Sequence, residues 1–211
     1  SVRGTGRLES NNTNAEGTRD GFAGYSSNGF DVDDDGGGGG INYPSGRTYV
    51  AWNWKAGGAP TETNSGGQTP TSGSVMIDGS ASTASLAAAD IYPTKMSINT
   101  TSGFSIVSYT SPGATSDKTV PHGLSQAPDM VIIKNLDSTF NWDVWTDDLQ
   151  SGYDLRLNTN DAETASRWST TDPSASLITL KDTYEVNGTD DYIAYCFHSI
   201  EGYSKVGSYE G

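Results

Sequence analysis

The residue run with the clearest chemistry is Asp31-Val32-Asp33-Asp34-Asp35-Gly36, which sets carboxylates at loop positions one, three and five and a glycine at six. Hard divalent cations take several carboxylate oxygens on a tightly turning backbone, and a Ca2+ loop opens in this way. The pattern then stops, because Gly37 to Gly40 bring no ligands and Asn42 stands where a bidentate Glu belongs. Asp31, Asp33 and Asp35 are the candidate metal ligands and Ca2+ the candidate ion, against the competing reading of a solvated acidic loop; no cofactor is required. Cys196 and His198 stand two apart, which on a strand puts them on one face. A thiolate nucleophile also needs an orienting partner and a pocket, and a Cys between Tyr195 and Phe197 has the surroundings of a core thiol. His122, in Val120-Pro121-His122-Gly123-Leu124, reads as a turn residue with a local hydrogen bond.

The carboxylates Asp143, Asp147, Asp148, Asp154 and Asp172 are scattered and read as surface groups rather than as a glycosidase pair. Tryptophan can stack on a sugar ring or anchor an interface. Trp52, Trp54, Trp142 and Trp145 are the candidate interface or glycan-stacking residues, with core packing expected for most of them. No catalytic residue is assigned, and the chain is not expected to be an enzyme.

What must position these residues is a set of strands. Hydrophobic residues make up 33% of the 211, aromatics 10%, and there are 26 glycines, so the apolar content sits in a few large side chains separated by turns. Strand patterns recur about every ten residues from Lys95: Phe104 to Tyr109, Met130 to Ile133, Trp142 to Trp145, Leu155 to Leu157, Leu177 to Leu180, Tyr192 to Phe197 and Tyr203 to Tyr209. Met130-Val131-Ile132-Ile133 is apolar throughout, as in a strand covered on both faces. No segment keeps helical spacing, and Ala84 to Ala89 has room for one turn at most. The expectation is an all-β chain of antiparallel β-sandwich or jelly-roll units.

Charge and cysteine usage bound the partners. A formal net charge of -14 repels nucleic acid. No apolar run reaches the ~20 residues of a membrane-spanning helix. The single cysteine rules out an intrachain disulfide and a Cys-based metal site.

The chain also repeats itself. Tyr49-Val50-Ala51-Trp52 matches Tyr192-Ile193-Ala194-Tyr195, and upstream Arg7-Leu8 followed by Asn14-Ala15-Glu16 matches Arg156-Leu157 followed by Asp161-Ala162-Glu163. The first copy lacks the sixty or so residues of strand-like sequence that precede the second. The expected organisation is a partial β-unit at 1–57, a flexible Gly/Ser/Thr-rich linker at 58–94 with a docking strand at 73–78, and a complete unit at 95–211. Half a sandwich exposes its apolar face, so copies of the chain itself are the expected partners.

Val120-Pro121-His122-Gly123-Leu124, Ala127-Pro128-Asp129-Met130-Val131-Ile132-Ile133-Lys134-Asn135, Asn141-Trp142 and the run from Asp191 to Tyr209 together resemble a domain of unknown function repeated in large structural proteins of marine and freshwater phages. Val2-Arg3-Gly4 and Tyr49 to Pro60 resemble the end of a preceding unit in those proteins. The resemblance implies a tail-fibre or virion-surface component, extracellular in location, with a host-surface glycan as the alternative partner. It brings no catalytic residues with it.

Overall fold

The computed structural model describes residues 6–210 except 19–20, 27, 34–40, 43–45, 47 and 114. In chain order the elements are β1 (Phe22–Ser26), β2 (Gly29–Val32), β3 (Val75–Ile77), β4 (Ser80–Ala81), β5 (Lys95–Asn99), β6 (Phe104–Thr110), β7 (Lys118–Pro121), β8 (Met130–Asn135), β9 (Trp142–Thr146), β10 (Leu155–Arg156), β11 (Leu177–Leu180), α1 (Tyr184–Asn187) and β12 (Asp191–Phe197). The fold is all-β, with helix among the described residues limited to the single turn α1. Ala84 to Ala89, the one stretch with room for a turn, contains no helix.

Eight strands form one sheet in the order β10-β9-β8-β12-β6-β5-β3-β4, so the last strand in sequence lies at its centre. All its pairings are antiparallel except β3 with β5, which makes the sheet mixed where an antiparallel one was expected. Side chains alternate between faces along a strand. Through the registers Val75, Met96, Val107, Ala194, Ile133 and Asp143 form one row across six strands on the inner face. Five of the six are apolar and no more than 2% exposed, each contributing roughly 1 to 3 kcal/mol by burial. The second layer is the β7–β11 pair, which brings Val120, Ile178 and Leu180 onto that face. Tyr109 stacks on Tyr192 at 5.1 Å and donates to the carbonyl of Val186 in α1 at 2.8 Å. The result is a two-layer sandwich.

Residues 58–94, expected as a linker, are tied to the sandwich along their length. β3 is a strand of the large sheet, Asn64 donates to the carbonyl of Pro93 at 3.0 Å, and Ile91 N–H bonds to Thr119 at 3.0 Å. Val75 and Ile91 belong to the core, and Leu86 packs against it. Just upstream, Gly57 crosses β5 so closely that a Cβ would lie 1.9 Å from the carbonyl oxygen of Ile98, so only glycine fits there. Ser97 donates to the carbonyl of Gly58 at 2.6 Å and holds the crossing in place.

The N-terminal region divides into a docked part and an exposed part. An antiparallel bridge of Arg7 to Gly17 closes a loop, as Asp154 to Thr164 closes one around the matching sequence. The first loop lies on the outer face of the large sheet: Trp142 donates its indole N–H to the carbonyl of Glu9 at 3.1 Å, Lys134 Nζ to that of Thr13 at 3.4 Å, and Glu16 N–H to Leu136 at 2.8 Å. Among the described residues β1 and β2 pair only with each other. Residues 48–56 belong to no strand or bridge. Neither does most of Tyr203–Tyr209, expected as a strand; only Ser204 bridges, to Ile200, and among the described residues no strand lies alongside the rest.

Candidate interaction site

The structure separates the four candidate tryptophans into two pairs. Trp142 and Trp145 are on β9, where alternation sends Trp145 into the core to stack on Trp168 at 5.9 Å and Trp142 to the outer face beneath the N-terminal loop. Both are buried, at 6% and 4% exposure, so neither is accessible to a ligand. Trp52 and Trp54 stand in the solvent at 78% and 60%. Every residue from Thr48 to Lys55 is exposed, Val50 at 79% among them. Trp54 meets Phe197 edge-on at 6.3 Å, and Phe197 stacks on Phe104 at 4.7 Å. These three rings form an aromatic row that runs from the arm onto the sheet. Large apolar side chains grouped in this way mark interaction surfaces.

The candidate metal ligands lie only partly within the described residues. Asp31 ends within β2 and Asp33 follows it, both exposed, and Asp35 lies outside the described residues. Among the described residues no three His, Cys, Asp or Glu side chains converge as a metal site would require. A polar cleft of about 370 Å3 includes Glu16, Lys95, Asp137 and Asp191 in its lining. Two of these are committed within the fold, since Asp191 accepts from Thr110 and Asp137 accepts from the Asp191 N–H.

Cys196 and His198 fare as core residues do. Cys196 is fully buried and burial pushes its thiol up to about 12, the reverse of what a nucleophile needs. His198 is 4% exposed, with Nδ1 at 3.0 Å from the Ser199 carbonyl. Burial pulls His122 down to about 4; its Nδ1 accepts from the Leu124 N–H, the local bond expected of it, while Nε2 reaches the distant Ser174 carbonyl at 3.1 Å.

Asp143 and Asp154, read as surface carboxylates, are buried at 0% and 1% exposure. Asp143 closes the apolar row on β9 opposite Arg156, and burial, reinforced by Asp154 and Glu185, raises its carboxyl to about 8; Arg167 and Arg156 pull the other way. Arg167 pairs with Glu185 at 3.2 Å, and its N–H bonds Asp154 at 3.1 Å. The signal that could have found this cluster is Trp142-Asp143-Val144-Trp145 itself. Period-two alternation puts Asp143 on the same face as Trp145, and it is the fold that turns that face inward.

Neither the curated proteins nor the solved structures include one that matches this chain. The model of one family, described as a domain of unknown function (DUF7483), matches residues 1–211, arm and sandwich alike, and the chain belongs to that family.

Proposed function

We propose that the chain is a non-enzymatic structural unit that assembles with copies of itself into an extracellular or virion-surface filament of the tail-fibre kind. The observation that carries this reading is the exposed arm Thr48–Lys55, which repeats the sequence pattern of the central strand β12 yet buries none of its large side chains. A segment with the composition of a core strand and no core of its own lowers its free energy by finding one on another molecule. The strong negative charge keeps such units soluble until a specific contact outweighs the repulsion. Sedimentation from micromolar to millimolar concentration tests the proposal. Growth of the weight-average mass with concentration is the expected result, and a monomer throughout overturns it.

A second reading, a carbohydrate-binding module for host-surface glycans, has one observation in its favour: the solvent-facing rings of Trp52 and Trp54. Under that reading Trp52→Ala abolishes glycan binding and leaves the mass unchanged. Under the assembly reading the same substitution lowers the mass.

A further inference from the structure

The exposed segment after β12 carries a second copy of another central strand. Gly202-Tyr203-Ser204-Lys205-Val206 followed by Ser208-Tyr209 repeats Gly103-Phe104-Ser105-Ile106-Val107-Ser108-Tyr109, the start of β6, with Gly207 as one extra residue. The backbone repeats with it. Gly103 and Gly202 both close a turn in the left-handed region, at φ 63 and φ 75, where glycine is unstrained. After Gly103 the chain enters the sheet; after Gly202 it stays at the surface, tied back on one side by Ser204 to Ile200 and by the Val206 N–H to Ser199 Oγ at 3.1 Å, with Tyr203 at 67% and Tyr209 at 92% exposed.

The two exposed segments thus resemble β12 and β6, and those two strands are antiparallel neighbours at the centre of the sheet, paired from Asp191 with Thr110 to Phe197 with Phe104. We infer that Tyr203–Tyr209 of one copy pairs antiparallel with Tyr49–Trp54 of a second copy, reproducing the β6–β12 pair between molecules; this rests on the self-assembly reading above. Carried over from the observed register, Trp54 faces Tyr203, Trp52 faces Lys205, Ala51 faces Val206, Val50 faces Ser208 and Tyr49 faces Tyr209. Within the sandwich the β6–β12 pair has an aromatic stack at each end, Phe104 on Phe197 at 4.7 Å and Tyr109 on Tyr192 at 5.1 Å. Both ends of the intermolecular pair keep an aromatic on each strand. The middle pairs a tryptophan with a lysine, a favourable cation–π combination. The extra Gly207 suits a bulge, which takes one unpaired residue on one strand. A cleft of about 530 Å3 lined by Ser199 to Lys205 provides the docking ground beside the tail.

Because the donor and acceptor are different segments, the contact is heterologous and leaves one free arm and one free tail at the ends of every assembly. Such a contact grows into open chains rather than closed dimers unless the rotation closes a ring. Two substitutions test it, Ala51→Pro in the arm and Lys205→Pro in the tail, each removing a backbone N–H from an exposed segment. Thermal unfolding that matches the unsubstituted chain shows that each variant still folds. Each variant alone is expected to sediment as a monomer, and an equimolar mixture to form a one-to-one dimer and nothing larger, since the mixture has one intact arm and one intact tail. Growth with concentration in both variants would overturn the strand pairing while leaving self-assembly standing; a monomeric unsubstituted chain would overturn both. As a measurement independent of proline, Ala51→Cys and Val206→Cys chains mixed under oxidising conditions are expected to give a disulfide-linked heterodimer. A failure to cross-link while the mass still grows counts against the pairing.

Discussion

Tyr49-Val50-Ala51-Trp52 and Tyr192-Ile193-Ala194-Tyr195 are nearly the same four residues in opposite environments. In β12, Tyr192, Ile193 and Ala194 are no more than 1% exposed, between β6 on one side and β8 on the other. In the arm, Val50 and Trp52 are nearly four-fifths exposed and belong to no strand. Local propensity is shared, so the difference lies in neighbours: β12 has two strands to satisfy its backbone and a second layer to cover its inner face. A β-pattern is therefore a request for neighbouring strands, and the chain meets that request in β12, while among the described residues no strand lies beside Val50 to Trp52.

The comparison can be broken or sharpened experimentally. The largest contrast is between matched truncations: Ile193→Ala removes buried methyl groups from the central strand and is expected to cost about 3 kcal/mol in chemical unfolding. An unchanged midpoint would mean that β12 does not anchor the sandwich.

Next comes the pH dependence that only the buried region carries. Folding raises the Asp143 carboxyl from 3.8 to about 8, so its folded form holds the proton more tightly than the unfolded chain does. Its contribution is complete below pH 3.8 and is lost as pH rises to about 8. His122 acts with the opposite sign, its contribution complete above 6.5 and lost as pH falls to about 4, and burial pulls Lys134 down to about 8, where it too opposes the carboxylate, so the interval just above 6.5 is the one Asp143 governs. Melting temperature is expected to fall across that interval and to stay flat in Asp143→Asn; an equal fall in both assigns the slope elsewhere. A smaller effect is expected at the docked part of the N-terminal region. Trp142→Phe deletes the indole hydrogen bond to Glu9 and should cost about 1 kcal/mol, read as faster amide exchange over residues 6–17. The smallest is Val50→Ala, expected to change the stability of the dilute monomer by less than about 0.5 kcal/mol, while lowering self-association at high concentration.

The strands themselves were largely legible. Aromatic and β-branched residues between Gly, Pro and Asn turns marked β6, β8, β9, β11 and β12 and the short β3 within the presumed linker. The candidate site was legible in part. Trp52 and Trp54 could be named as surface anchors, but nothing local distinguishes them from Trp142 and Trp145, which share the same kind of strand-like context and are buried. Residues 58–94 looked like a linker because Gly, Ser and Thr dominate their composition. Backbone hydrogen bonds, which composition does not report, hold them to the sheet.

Sequence by itself determined that this is an all-β chain with alternating strands, a lone core cysteine and a strongly acidic surface, because those follow from side-chain chemistry and period-two spacing. Tertiary structure alone decided which strand is central, that Asp143 ends an apolar row instead of facing water, and that one β12-like segment is buried while its twin is exposed. Burial depends on what lies across the sheet, and residues distant in the chain supply that: Thr110 opposite Asp191, Gly57 against Ile98, Glu9 over Trp142.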